Sequence, residues 1–410
     1  MTTNNSSFLP KTTAVASAII PILSISWFIN ERSWEAAIAI CCSVPPLIAQ
    51  IPAIRSRLSN QKADTIIASI LLSSACCVIL LFLFSGFSRV CYPNSVVQDA
   101  IKTELPFEGI SDLVVNTRVA GEYFASTLTG DIYRKPRNSD NWEQVYNGEN
   151  VIIGSLRIDE GNGSTIYALT DKGILRSTEA GSNWHFTNNG LPMETDGSLD
   201  TRSLTIRPNE NREVLVSIWG KGIYKSSDGG SSWSAVNNGL TDLTVQTIAF
   251  HPLQKDLLFA GTSRNGIFIS EDLGATWFQT NSTINNINVI SIAFHPRSAN
   301  LIYIGTIGTG VLYSNDSGKS WDKFPQRSEN YERLSDQRIR SGPIFDQINP
   351  DIIYVGTYSR GLYVANAKEN IWYNFPLSIA VVRVIRQLDN KVLVISEYGS
   401  FFLERSSNCQ

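Results

Sequence analysis

The chain has 410 residues, 43% of them hydrophobic and 17% charged, with a formal net charge of −3. That length can bury large cores, and the near-neutral balance argues against a nucleic-acid binder, which carries a marked basic excess. A mean hydropathy of −0.05 conceals an asymmetry. Residues 1–89 carry six Lys/Arg and three Asp/Glu, whereas residues 90–410 hold 28 and 34.

Three apolar stretches come first, at 13–29, 34–54 and 65–87. The third is uncharged over a length that fits a bilayer crossing. The first carries Pro21, and the second contains Pro45, Pro46 and Pro52, so its end is kinked or does not cross. Residues 1–89 are therefore expected to be a helical transmembrane anchor of three spans, or two if the middle stretch fails to cross. Charges are too scarce for a buried soluble helical domain. Lys11 alone makes a poor signal-peptide n-region, and no small-residue cleavage site follows. Arg55, Arg57 and Lys62 crowd the loop between the second and third stretches, which places that loop in the cytoplasm. Three spans put residues 90–410 outside the cytoplasm; two reverse the side.

The rest of the chain repeats. Trp142, Trp184, Trp233, Trp277, Trp321 and Trp372 are spaced 42, 49, 44, 44 and 51 residues apart. An octapeptide precedes the best-formed of these: Ser226 to Trp233 with Asp228 and Gly230, Ser270 to Trp277 with Asp272 and Gly274, and Ser314 to Trp321 with Asp316 and Gly318. A weaker copy, Ser177 to Trp184, has Glu179 in place of the Asp. Each unit reads as four short strands in about 45 residues, punctuated by Gly and Asn, which describes a propeller blade. A short acidic side chain can bind the N–H groups of a tight turn, glycine supplies positive φ, and the Trp can pack between strands with its N–H free to find a partner. An aspartate present in every repeat points to architecture rather than to a single catalytic or metal site.

These motifs resemble the Asp-box repeat of bacterial neuraminidases, S-x-D-x-G-x-x-W. The blade pattern is similar to that of sortilin-type receptors, xyloglucan-specific glycoside hydrolases and photosystem II stability/assembly factors, over about 110–407. The resemblance implies an all-β propeller but spans enzymes, receptors and assembly factors. Sialidases of this kind use an arginine triad, a tyrosine–glutamate pair and a Phe/Tyr-Arg-Ile-Pro segment, and no such segment is present.

Seven blades fit residues 90–410. The seventh, from about residue 380, has only three strands, and a ring needs closure to avoid an open edge. The segment 95–100 is the candidate closing strand. Cys91 precedes it and Cys409 follows the third strand of blade 7, so the two would meet if closure works this way. They are either a disulfide, worth at most about 5–6 kcal/mol in the chain-entropy model and requiring an oxidising compartment, or two thiols. Cys41, Cys42, Cys76 and Cys77 lie in the apolar stretches as small hydrophobes.

In a four-stranded blade the octapeptide hairpins point to one face, while the turns between strands two and three and the links between blades point to the other. That second face is the expected ligand face. Its candidates are Lys172, Trp219, Lys221, Arg264, Tyr358, Arg360 and Tyr398, together with Arg338 and Arg340 in the long 325–341 link. Asp196 and Asp200, in the other long link, could face Asp336 as a pair of carboxylates for glycoside hydrolysis. Mixed charge and scattered aromatics suit a protein or glycan ligand, or simply a solvated surface. No metal or cofactor motif is visible. The expectation is a membrane-anchored binding or scaffold module, an assembly factor, receptor or sensor. The alternatives are a membrane-tethered glycosidase and a signalling or pore-forming unit.

Overall fold

The structure, a computed structural model, describes residues 97–103, 109–210, 212–280, 284–324, 338–367, 371–375, 381–388, 391–396 and 399–405. The chain divides into two units, Met1–Cys91 and Tyr92–Gln410. The three apolar stretches, with the span count they would decide, lie outside the described residues, as do Cys91 and Cys409. Among the described residues no helix is long and apolar enough to cross a membrane.

Seven four-stranded antiparallel sheets make up the described residues. Blades 1 to 6 (110–146, 153–186, 201–235, 245–279, 288–323 and 339–375) are sequential meanders. Blade 7 takes three strands from 382–405 and its outermost strand, Val97–Thr103, from ahead of blade 1. First strands of neighbouring blades touch all the way round, blade 7 to blade 1 included. The chain is thus a closed seven-bladed propeller, as the repeats predict. The closing strand runs three residues past the expected end, because its partner Gly399–Arg405 is long enough to pair Val97 with Arg405 at one end and Thr103 with Ser400 at the other.

Each innermost strand carries a bulge near its start, at Ser111, Gly154, Arg202, Gln246, Ile290, Arg340 and Arg383. A bulge leaves one residue unpaired and re-aims its neighbours. In four blades the following side chain reaches the next blade's backbone, Ser291 by donating to the Gly342 carbonyl. Asp112 accepts from the Leu156 N–H at 3.0 Å, Ser203 from Ile248 at 3.2 Å and Ser341 from Ile385 at 3.1 Å. Asp112 does more than the serines. Its carboxylate is 1% exposed, accepts the Leu113 N–H at 2.8 Å and pairs with Arg386 of blade 7 at 2.9 Å. Arg157 of blade 2 stands 3.5 Å away. One acid therefore ties blades 7, 1 and 2 together beside the ring's closure. Desolvation, followed by repulsion from Arg386, holds the Arg157 guanidinium below its ordinary value, and Asp112 only partly offsets them.

The octapeptide is a latch between blades as well as a turn. Ser226 donates to Asp228 at 2.7 Å and accepts from the Gly230 N–H at 2.7 Å, while Ser232 donates its N–H and hydroxyl to the same carboxylate at 2.9 and 2.6 Å. These bonds, Ser232 foremost, pull Asp228 down to about 2. Asp272 and Asp316 are held in the same way. Gly230 has φ +91°, and a Cβ there would sit 3.2 Å from Tyr167 of the preceding blade; at Gly318, φ +85°, it would sit 2.7 Å from Phe259. Positive φ and close approach both require glycine at these turns. Trp233, Trp277 and Trp321 are buried, but two of them look beyond their own sheet. The Trp233 indole donates to the Thr187 carbonyl at 2.8 Å and the Trp277 indole to Val236 at 2.9 Å, each in the preceding repeat. The indoles of Trp184, Trp321 and Trp372 are buried without such a partner among the described residues.

His251 is a further inter-blade staple. It is fully buried, its Nδ1 accepts the Leu253 and Gln254 N–H groups at 3.2 and 3.1 Å, and its Nε2 lies 3.0 Å from the Ala299 carbonyl in blade 5. Nδ1 as acceptor puts the proton on Nε2, which donates.

Two outcomes follow. Asp112→Ala leaves two arginines facing each other without a counter-charge, and urea unfolding should show a loss of about 3 kcal/mol. Burial lowers the pKa of His251, and likewise of His295. Below about pH 6.5 the unfolded chain therefore binds protons that the native ring refuses. The urea midpoint should fall between pH 7.5 and 5.5, and His251→Gln should flatten that slope.

Candidate functional site

The meander sets the site. The start of each first strand, the second turn and the link to the next blade share one face, and the octapeptide hairpins occupy the other. On the first face the structure gathers the predicted residues into two separate groups.

Blade 6 supplies the first. Tyr358 follows the second strand Ile352–Thr357, and its N–H bonds the Arg338 carbonyl at 3.0 Å. Arg338 also bridges Ile307 of blade 5, so its backbone is fixed on both sides. The guanidinium of Arg338 lies 5.0 Å from the Tyr358 ring centroid and that of Arg340 lies 5.3 Å from it. Arg340 also donates to the Tyr358 hydroxyl at 3.2 Å. The two exposed cations share one ring, and among the described residues neither forms an ion pair. Cation–π attraction positions them at short range without cancelling their charge. Arg360, exposed on the same turn, has its N–H on Thr357 at 2.9 Å.

Blade 3 supplies the second group, and there charge is neutralised. Arg202, the bulge residue, stacks on Trp219 at 4.6 Å and pairs with Asp200 at 2.6 Å. Lys221 pairs with Glu194 of the long link at 3.2 Å. Lys172, on the blade 2 turn, is bound into the link through its backbone bridge to Leu199. Asp196 is held below the usual carboxylate range by the Ser198 hydroxyl and N–H, with Lys172 adding to the effect.

Arg264 stands apart in blade 4. Its side chain is exposed, while its N–H donates to the buried Asp242 at 2.9 Å. Desolvation opposes ionisation of Asp242, but bonds from Thr244 and the Arg264 N–H outweigh it and keep the pKa low. Tyr398 and Asp336 lie outside the described residues, so the carboxylate pair of Asp196 or Asp200 with Asp336 is not assembled among them. Among the described residues no group of three His, Cys, Asp or Glu is placed to hold a metal ion.

Sequence reasoning missed Arg202 and Asp242. Arg202 occupies the bulge position of the first strand, the same as Arg340, so aligning first strands as carefully as the octapeptides would have found it.

A sortilin family model (Sortilin, neurotensin receptor 3) matches residues 221–374. No curated protein matches the chain in sequence. Among solved structures, the GH74 xyloglucanase from Xanthomonas campestris superposes with a TM-score of 0.60 at 14% identity, over 76% of this chain and 54% of that one. YCF48 bound to D1 peptide gives 0.54 at 14% identity, over 75% and 96%. The extracellular domain of the two-component system BT4673 from B. thetaiotaomicron gives 0.55 at 17%, over 74% and 39%. The chain spans about half the length of the xyloglucanase. At these identities the likeness is one of fold, a seven-bladed propeller of the sortilin, xyloglucanase and YCF48 type.

Since Asp242 holds the Arg264 turn by its backbone, Asp242→Ala should speed limited trypsin cleavage after Arg264, read by mass spectrometry of the first fragments.

Proposed function

We propose that this protein is a membrane-anchored, extracytoplasmic propeller that binds a protein ligand through its turn face. In this reading an acidic group of the ligand lies against Arg338, Arg340 and Tyr358. One observation carries the proposal: two guanidinium groups stack on a single tyrosine, and among the described residues no carboxylate pairs with either. An incoming carboxylate would gain charge-assisted hydrogen bonds from cations already held in position. The blade 3 group, neutral in sum, is the less selective side of the same surface.

A glycan ligand or glycosidic substrate is favoured less. The face of Trp219 is already covered by Arg202, whereas sugars need an open aromatic surface. A general acid needs a raised pKa, while Asp196 is lowered and Asp200 is paired with Arg202. The binding-module neighbours, including YCF48 with its D1 peptide, are in keeping with a peptide or protein ligand.

The side of the membrane rests on Arg55, Arg57 and Lys62 together with three crossings. A disulfide between Cys91 and Cys409 belongs to the same reading. Val97 pairs with Arg405, the described ends of the closing strands nearest in sequence to the two cysteines.

A photo-crosslinking residue at Ser359, in intact cells, tests the reading. We expect a discrete protein adduct that external protease removes without permeabilisation and that disappears in Arg338→Ala/Arg340→Ala. An adduct indifferent to the arginines, or protected until permeabilisation, overturns it. Release of reducing ends from xyloglucan oligosaccharides by the purified chain would favour the hydrolase instead.

A further inference from the structure

The opposite face contains an opening between blades 4 and 5. Each octapeptide glycine packs on a residue of the preceding blade: Gly181 on Phe124, Gly230 on Tyr167, Gly274 on Leu215 and Gly318 on Phe259. From that residue a row of cross-strand neighbours runs outward toward the rim. The row is Phe124–Arg134–Glu143 in blade 1, Tyr167–Arg176–His185 in blade 2 and Leu215–Lys225–Ser234 in blade 3. The middle residue is a cation each time. Arg134 and Arg176 lie 6.0 and 5.9 Å from the aromatic ring beneath them, and Arg176 reaches Ser231 of the next octapeptide at 3.4 Å.

Blades 4, 5 and 6 lack the cation: blade 5 has Tyr313 at this position, blade 6 has Val364, and blade 4 is apolar throughout. Its row is Phe259–Ile269–Phe278, apolar to the rim, and Phe278 is 66% exposed. Ile269 packs on Gly318 of the blade 5 octapeptide, where a Cβ would sit 3.3 Å from its Cδ1, and carries no charge past it. Beside it lies a cavity of about 510 Å³, lined by Leu257, Ile269, Lys255, Glu271 and Lys319 among others. A second cavity of about 470 Å³ shares Ile269, Glu271 and Lys319 with it and extends the opening past Phe278. The result is one groove with an apolar floor. Lys255 stands on the blade 4 wall and Lys319 on the blade 5 wall, and neither makes an ion pair among the described residues. Asp256, which also lines it, is already engaged by Arg207. Glu271 is the carboxylate left, so the groove carries a net positive balance over an apolar floor.

We propose that this inter-blade groove is a docking site for an extended peptide segment in which an apolar side chain is flanked by carboxylates. The apolar residue covers Ile269 and Phe278, removing exposed aromatic surface from water, and the carboxylates meet Lys255 and Lys319 on the two walls. The site lies on the octapeptide face and does not depend on the ligand-face reading.

Fluorescence anisotropy with the full chain in nanodiscs tests it. The probe is a fluorescein-labelled hexapeptide of alternating aspartate and phenylalanine, with the lysine–phenylalanine and aspartate–serine peptides as controls. The acidic–apolar probe alone should bind. Ile269→Arg, which installs the residue type found in blades 1 to 3 and so keeps a packing the fold already uses, should weaken binding at least tenfold. Lys255→Glu/Lys319→Glu, two surface changes, should do the same. Unchanged affinity in either variant, equal binding of a control peptide, or no binding of the probe overturns the proposal.

Discussion

Seven twisted sheets around an axis have no stable arrangement short of a complete circle, because an incomplete one exposes two sheet edges and two apolar faces. This chain meets that constraint at one place, where the strand Val97–Thr103 pairs with Gly399–Arg405. The carboxylate of Asp112 stands beside it, joining the last blade to the first two. Everything on either face is positioned relative to this join. The turn cluster at Tyr358 and the groove at Ile269 are both defined by how blades lean on their neighbours, and a ring that failed to close would lose both.

The repeated architecture was legible in the sequence because its physics is local. A serine, an aspartate, a glycine and a tryptophan within eight residues make a turn whose bonds lie almost wholly inside it, as Ser226, Asp228 and Ser232 do. Local bonding leaves a local pattern. The closing strand was legible for a different reason, since a three-stranded last blade demands a partner from elsewhere. What the pattern hid were the contacts between blades. Asp112 and Arg386 are 274 residues apart in sequence, and nothing in either neighbourhood announces the other. The tryptophan was placed correctly as a packing residue, yet the direction of its N–H toward the preceding blade needed the blade-to-blade geometry. On the turn face the candidates were found one turn at a time. Their division into a neutralised group around Trp219 and a cationic group around Tyr358 depends on partners such as Arg202 and Asp200, which lie outside those turns.

The two faces use the repeat in opposite ways. On the turn face each blade presents a different residue at an equivalent position, so variety around the ring makes a surface with a charged side and a neutral side. On the octapeptide face the groove opens where blade 4 has an isoleucine at the position that carries a cation in blades 1 to 3. In a repeat protein an irregularity can therefore be as informative as the consensus.

The pairing that completes blade 7 also has a consequence in time. Ribosomes release the chain from its N-terminal end, so the strand Val97–Thr103 is made before any of the blades that follow it, while its partner Gly399–Arg405 is made after all of them. Throughout that interval the early strand has no edge to join, and blade 1 has no seventh neighbour. Contacts of such long sequence separation form slowly, and an unpaired strand is an aggregation hazard while it waits. A message truncated shortly before codon 399 would yield a chain with six complete blades and no means of ending its synthesis as a ring.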